Sequence, residues 1–333
     1  MSCTSQSLLS ITEELHREQL AIETWFNQQW QHVSAPFYSS VDLRQSAFKL
    51  APIDVNLYPA GFNNLSKEDE DYAVEQVKKM MQQKGQHFKN VLIITENHTR
   101  NLYYLEHLAK LKNILTRAGC VVKLSMLDTV NHLAHTLSGQ PLSFEAVTKE
   151  ETSLRIEAFI PDGIILNNDL SEGFPDLFAN LQQPILPTPL LGWYQRKKSY
   201  YFEQYDKVCK AFSNNFGWDN WLLNPLFTAC DQVNFTPGHD QTELVQKAQV
   251  LFNKIEEKYQ TYGISQKPYL ILKADSGSYG MGVLTLESAD MITHLSRKHR
   301  QHMSKTKGNR LIESVILQAE LLELKAVIKG PAS

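Results

Sequence analysis

Nowhere in its 333 residues does the sequence carry a long apolar run, and a membrane-spanning helix needs about 18 or more such residues. The amino terminus, MSCTSQSLLSITEELHREQL, lacks the basic start and apolar centre of a secretory signal. Cysteine is scarce. Cys3, Cys120, Cys209 and Cys230 include no C-x-x-C pair, which argues against a disulfide framework or a zinc site and makes reduced thiols in a cytoplasmic protein the expectation. An excess of one charge is also lacking. Lys and Arg number 33 against 36 Asp and Glu, and a formal net charge of −3 gives no field to draw nucleic acid or an anionic membrane. Internal repeats and low-complexity tracts are absent. What is present, 42% hydrophobic and 21% charged residues, belongs to a soluble globular chain long enough for two or more domains.

Apolar residues recur at helical spacing from about Leu8 to Trp30, which predicts one long amphipathic helix. An irregular segment, Pro36–Leu65 (PFYSSVDLRQSAFKLAPIDVNLYPAGFNNL), follows, then a charged helix over Lys67–Gln83. Asn90–Thr95, Cys120–Leu124 and Gly163–Leu166 read as strands and Arg100–Ala118 as a helix, a pattern that predicts an α/β fold with a mostly parallel sheet covered on both faces. Ligands of such sheets meet the loops beyond the carboxyl ends of strands, where the polar groups Glu96–Arg100 and Asn167–Asp169 stand. Pro184, Pro187 and Pro189 mark a domain junction near residue 190. Beyond it, helices are expected over Arg196–Phe212 and Leu244–Tyr262, strands over Tyr269–Ala274, Val283–Leu286 and Leu311–Gln318, and a helix capped by Ser288 running to about His302.

The segment Leu270–Val283 (LILKADSGSYGMGV) places a lysine near the end of an apolar strand, then Gly277, Gly280 and Gly282, then a returning strand. Glycines let backbone N–H groups turn inward as an anion-binding nest, and lysine supplies a point charge for phosphate oxygens. The lysine precedes the glycines, so this is not G-x-x-x-x-G-K-[ST]; the continuation is strand-like, so it is not a dinucleotide fingerprint. A glycine-rich hairpin with an exposed lysine is the plain alternative. The pairs His132/His135 and His299/His302 read as solvent-facing helix histidines, and the basic run Arg297–Arg310, without interleaved aromatics, as a solvated helix end. Arg196, Lys197 and Lys198 read either as anion contacts or as an exposed basic helix start.

The order strand, lysine, glycine loop, strand resembles the ATP-grasp superfamily. Four blocks in order sharpen this: SVDLRQSAFKLAPIDVNLYPAGFNNL, LNNDLSEGFPDLF, GWYQRKKSYYFEQYD and LKADSGSYGMGV are similar to the proteobacterial glutamate–cysteine ligase family, and together they span most of Pro36–Gln318. The resemblance implies an ATP-grasp-like α/β fold, with an N-terminal pre-ATP-grasp, substrate-binding domain (1–190), a glycine-loop lobe with linking helices (191–318) and an atypical tail (319–333). It implies ATP-dependent joining of the L-glutamate γ-carboxyl to the L-cysteine amine through an acyl phosphate, the first step of glutathione biosynthesis. Magnesium is expected to accompany ATP, with no ligand for it in this chain. ATP, L-glutamate and L-cysteine are the implied partners, without nucleic acid or membrane.

Carried onto matching positions, the resemblance assigns Lys273, Ser276, Gly277, Ser278, Tyr279, Gly280 and Gly282 to ATP, with Asp275 opening the same loop. Lys207 resembles a helix lysine that many ATP-grasp enzymes place before the nucleotide domain, or is a solvated helix lysine. In the first block, Asp42 and Arg44 would share one side of an extended segment, and Arg44 could hold a carboxylate by a bidentate contact. Asp54, Asn56, Asn63 and Asn64 could bind an ammonium or other polar substrate groups, or simply bond their own turns. The resemblance breaks at Ala319, where the family's Gln-Glu-Gly would place a glutamate after Gln318. The expectation is therefore that the second ATP-grasp lobe is largely missing from this chain. The tail resembles a truncated or frame-shifted end, with low ligase activity expected of this chain. A non-catalytic nucleotide- or amino-acid-binding remnant, or a ligase for another acid and amine, are the rival readings.

Overall fold

In the computed structural model, which describes residues 8–83, 88–98, 100–128, 130–276, 282–304 and 311–319, the strand–helix alternation builds two units, each with its own sheet. Contacts group 1–35, 41–55 and 195–333 into one unit, and 36–40 and 56–194 into the other. Residues 1–35 and 41–55 thus group with 195–333, which no linker signal in the sequence announces.

The unit containing 56–194 holds a six-stranded sheet in the order β10 (Ile185–Leu186), β9 (Gly163–Asn167), β3 (Asn90–Thr95), β4 (Val121–Met126), β6 (Pro141–Phe144) and β5 (His132–His135). Every pair is parallel except the β5–β6 edge. β3 and β9 carry continuous apolar runs, Val91–Ile94 and Ile164–Leu166, because both faces are covered, and Val91 to Ile94 are at most 1% exposed. α4 (Leu102–Arg117) buries Leu105, Leu108, Leu111 and Leu115 in the core on one face, and Asn101 caps it by accepting from the Tyr103 and Tyr104 N–H groups. α3 (Lys67–Gln83) starts on a reciprocal cap: Ser66 Oγ accepts the Asp69 N–H, and Asp69 Oδ2 accepts the Ser66 N–H. A small hairpin, β7 (Thr148–Glu150) and β8 (Ser153–Arg155), completes the unit. His132 and His135 thus lie on an edge strand rather than a helix. The run HLAH is too short to show a helical period, and its alternation buries Ala134 between exposed neighbours.

The other unit is built on an antiparallel sheet in the order β11 (Phe227–Asp231), β14 (Ser314–Ala319), β12 (Leu270–Ala274) and β13 (Val283–Leu286). Leu270, Leu272, Ala274, Val315 and Leu317 face a core closed by α6 (Thr242–Thr261) through Leu244, Ala248, Leu251, Phe252 and Ile255. The expected amino-terminal helix is two helices, α1 (Leu8–Arg17) and α2 (Gln19–Trp30), separated at Glu18. α1 sends Ile11 into the core, and α2 sets Trp25 edge-on against Phe212 of α5 (Lys198–Phe216). The hairpin of β1 (Ser40–Gln45) and β2 (Leu50–Asn56) turns at Ser46–Lys49, where Ser46 N–H donates to the Lys49 carbonyl. Ser288 makes no side-chain cap. A 3-10 turn over Ala289–Ile292 and then α7 (Arg297–His302), capped by Ser296, replace the single expected helix. No described helix is long and apolar enough to cross a membrane.

Candidate active site

The pleat decides where Lys273 points. Its neighbours Leu272 and Ala274 enter the core, so Lys273 and Ile271 stand on the opposite face of β12. Gln318 pairs with Ile271 in register and occupies that same face, diagonally adjacent to Lys273. The half-buried Lys273 Nζ donates to Gln318 Oε1 at 2.7 Å and to the Ile53 carbonyl at 3.1 Å. Gln318, fully buried, turns its Nε2 to the Pro52 carbonyl at 3.4 Å.

The end of β2 is the common anchor for this face. Besides Pro52 and Ile53, Asp54 Oδ1 accepts from Lys198 Nζ at 3.1 Å, and the Val55 carbonyl accepts from Arg196 Nη2 at 3.1 Å. Four successive β2 residues thus receive Gln318, Lys273, Lys198 and Arg196. Lys198 is buried, and burial lowers its pKa against the raising pull of Asp54. Lys197 pairs with Asp231 at 2.6 Å, which raises its pKa through that hydrogen bond. The basic triplet is therefore not an exposed helix start: each of its members is already engaged by the fold.

Asp275 has a structural role at the foot of the glycine-rich segment. α5 lacks a side-chain cap of its own. Asp275, 0% exposed, supplies one: its Oδ1 accepts the Ser199 N–H, its Oδ2 accepts the Ser199 hydroxyl, both at 2.7 Å, and its carbonyl accepts the Lys198 N–H. A carboxylate at a helix N-terminus satisfies orphan donors and meets the positive end of the dipole. Gly282 closes the other end of the segment. Its φ is +66°, its carbonyl accepts the Ala274 N–H, and a Cβ there would stand 2.8 Å from Ile312 Cδ1. Ser276 is half-buried beside Asp275. Gly277, Ser278, Tyr279 and Gly280 lie outside the described residues.

Lys207 is exposed on α5 and donates to Gln204 of its own helix. Asp42 and Arg44 both lie on β1, Asp42 exposed and Arg44 half-buried. Asp54 is committed to Lys198. Asn56, Asn63 and Asn64 belong to the other unit, where Asn56 accepts the Tyr58 N–H in its own turn and Asn63 donates to Asn64. In that unit the expected polar groups do meet at the ends of the adjacent parallel strands β3 and β9: Glu96 Oε1 accepts the Asp169 N–H, and Asn168 bonds the Thr95 carbonyl. A buried centre missed from the sequence joins them. Asn167 touches His107 Nε2 at 2.9 Å and accepts from the Tyr104 hydroxyl at 2.7 Å, and burial lowers the His107 pKa to about 4. No linear motif joins residues 104, 107 and 167; only their helical and strand positions do.

Among the described residues no group of three His, Cys, Asp or Glu side chains comes together to hold a metal ion.

The glutamate–cysteine ligase (GshA) family model matches residues 12–329. The chain is similar to the crystal structure of a proposed gamma-glutamylcysteine synthetase from Methylobacillus flagellatus KT, with 38% sequence identity and a TM-score of 0.89 over 97% of this chain and 77% of that one. D-alanyl-alanine synthetase A from Vibrio cholerae O1 biovar eltor str. N16961 superimposes at 11% identity and a TM-score of 0.37, over 70% of this chain and 60% of that one, too distant to carry an argument. Comparison with the curated proteins returned no match. With a family model covering nearly all of it, this chain belongs to the glutamate–cysteine ligase family.

Proposed function

We propose that this chain acts in the ATP-dependent joining of the L-glutamate γ-carboxyl to the amine of L-cysteine, on an ATP-grasp scaffold. One observation carries the reading: in a member of this family, the ammonium of Lys273 is fixed by Gln318 and the Ile53 carbonyl at the foot of a glycine-rich segment. A carboxylate oxygen attacks the γ-phosphorus of ATP and ADP leaves, giving an acyl phosphate. The amine then attacks the acyl carbon, loses a proton and expels phosphate. Phosphoryl transfer depends mainly on positioning and charge neutralisation. Lys273 supplies a positive charge to the polyphosphate, and the N–H groups of the Gly277–Gly282 segment supply further donors. Arg44, on β1, is assigned to a substrate carboxylate.

The test uses L-glutamate labelled with ¹⁸O in its γ-carboxyl, with L-cysteine, magnesium and ATP, under single-turnover conditions. Mass spectrometry is expected to find γ-glutamylcysteine and one ¹⁸O in each phosphate released. Phosphate free of label, or ATP consumed without dipeptide, would contradict the proposal.

A further inference from the structure

Resting on the reading that Lys273 holds ATP phosphates, we infer that Gln318 is a positioning residue that keeps Lys273 in place without itself setting a negative charge against it. The chemistry of the two partners fixes the amide's orientation. An ammonium only donates and a backbone carbonyl only accepts, so Oε1 must face Lys273 and Nε2 must face Pro52. The flipped amide would set donor against donor and acceptor against acceptor. Gln318 is 0% exposed, so no solvent competes for either end. It therefore ties β12, through Lys273, to β2, through Pro52, while Ile53 contributes a second neutral oxygen.

Neutral oxygens matter here. A carboxylate in the place of Oε1 would hold the ammonium at least as firmly, yet it would cancel much of the charge that a phosphate is to meet. A glutamine holds the position without cancelling the charge. Position and charge are thus separable by substitution, which a purely structural role for Gln318 would not allow.

Gln318→Glu and Gln318→Leu separate them. Two readouts are taken on the whole chain: ATP affinity by calorimetric titration, and the pH profile of Lys273 acylation by an amine-reactive ester, followed by mass spectrometry. Gln318→Glu is expected to weaken ATP binding by about tenfold and to shift the acylation profile to higher pH, since the new carboxylate favours the charged amine. Gln318→Leu is expected to weaken ATP binding without that upward shift. ATP binding and an acylation profile unchanged in a folded Gln318→Glu variant would overturn the inference while leaving the reading of Lys273 intact. If instead the unsubstituted chain shows no ATP affinity, that reading fails, and the acylation profile alone still decides whether a negative charge at position 318 acts on Lys273.

Discussion

Lys49 offers a sharp test of the packing in the β12-containing unit. It ends the β1–β2 turn, is 1% exposed, donates to the Asn224 carbonyl at 2.6 Å and stands 4.5 Å above the Trp221 ring. Its neighbour Phe48 stacks on the same tryptophan. Burial lowers the Lys49 pKa to about 7; Asp219 and Cys209 oppose the shift and Lys258 adds to it. The sign follows from proton counting. Below pH 7 the amine is charged in both folded and unfolded chains, and the cost of burying it is fully present. Above pH 7 the folded chain sheds a proton that the unfolded chain keeps up to its ordinary pKa, so stability rises with pH. Integrated from pH 7 to pH 9, one such group contributes a rise of about 2 kcal/mol. The window stops at pH 9, because Cys209, raised to about 11 by burial, then acts in the opposite direction as unfolded thiols ionise. The perturbation is Lys49→Met, assayed by urea unfolding midpoints at half-unit steps across the window. Loss of the Asn224 contact shifts the variant by about 1–3 kcal/mol at every pH, so the slope and not the offset is the test. The wild-type curve is expected to rise relative to the variant by about 2 kcal/mol. Parallel curves would refute the assignment of a charged-to-neutral change at this position.

Three further outcomes follow from single contacts. Asp275→Asn removes the carboxylate that caps α5, and thermal melting is expected to show a loss of about 1–3 kcal/mol. Gly282→Ala forces a side chain into left-handed backbone against Ile312 and is expected to lower stability by about 1–3 kcal/mol in denaturant unfolding. His107, whose pKa is lowered by burial to about 4, contributes stability that is present above pH 6.5 and lost as pH falls toward 4. Unfolding curves of His107→Phe over that range are expected to be flatter than wild type by up to about 3 kcal/mol.

The sequence made the bounded runs legible. Short apolar runs located β3 and β9, an apolar strand and its return located β12 and β13, and a charged stretch located α3 over its full length, because segments set off by turn residues leave little competition. Short elements went otherwise. HLAH carries too few residues for a period, and the break at Glu18 interrupts an apolar stripe that runs on past it. For the site, residue type and spacing picked out Lys273, but what holds it was out of reach. Ile53 lies 220 positions away and takes part through its carbonyl, a group every residue carries. Gln318 was visible only as the end of a strand and the first position of the family's Gln-Glu-Gly, and Asp275 only as a loop residue, since nothing local shows that it caps the start of α5. The asparagines of the first block read either as ligands or as turn formers. Asn56 and Asn63 bond their local neighbours, and their assignment to substrate stands as a proposal.

The central claim, that Lys273 meets the phosphates of ATP, is tested most directly by titrating ATP into wild type and Lys273→Met, with circular dichroism confirming that both are folded. A charge-assisted contact is worth about 1.5–3 kcal/mol, so the variant is expected to bind ATP about tenfold more weakly, or less tightly still. Equal affinity in a folded variant would contradict the account.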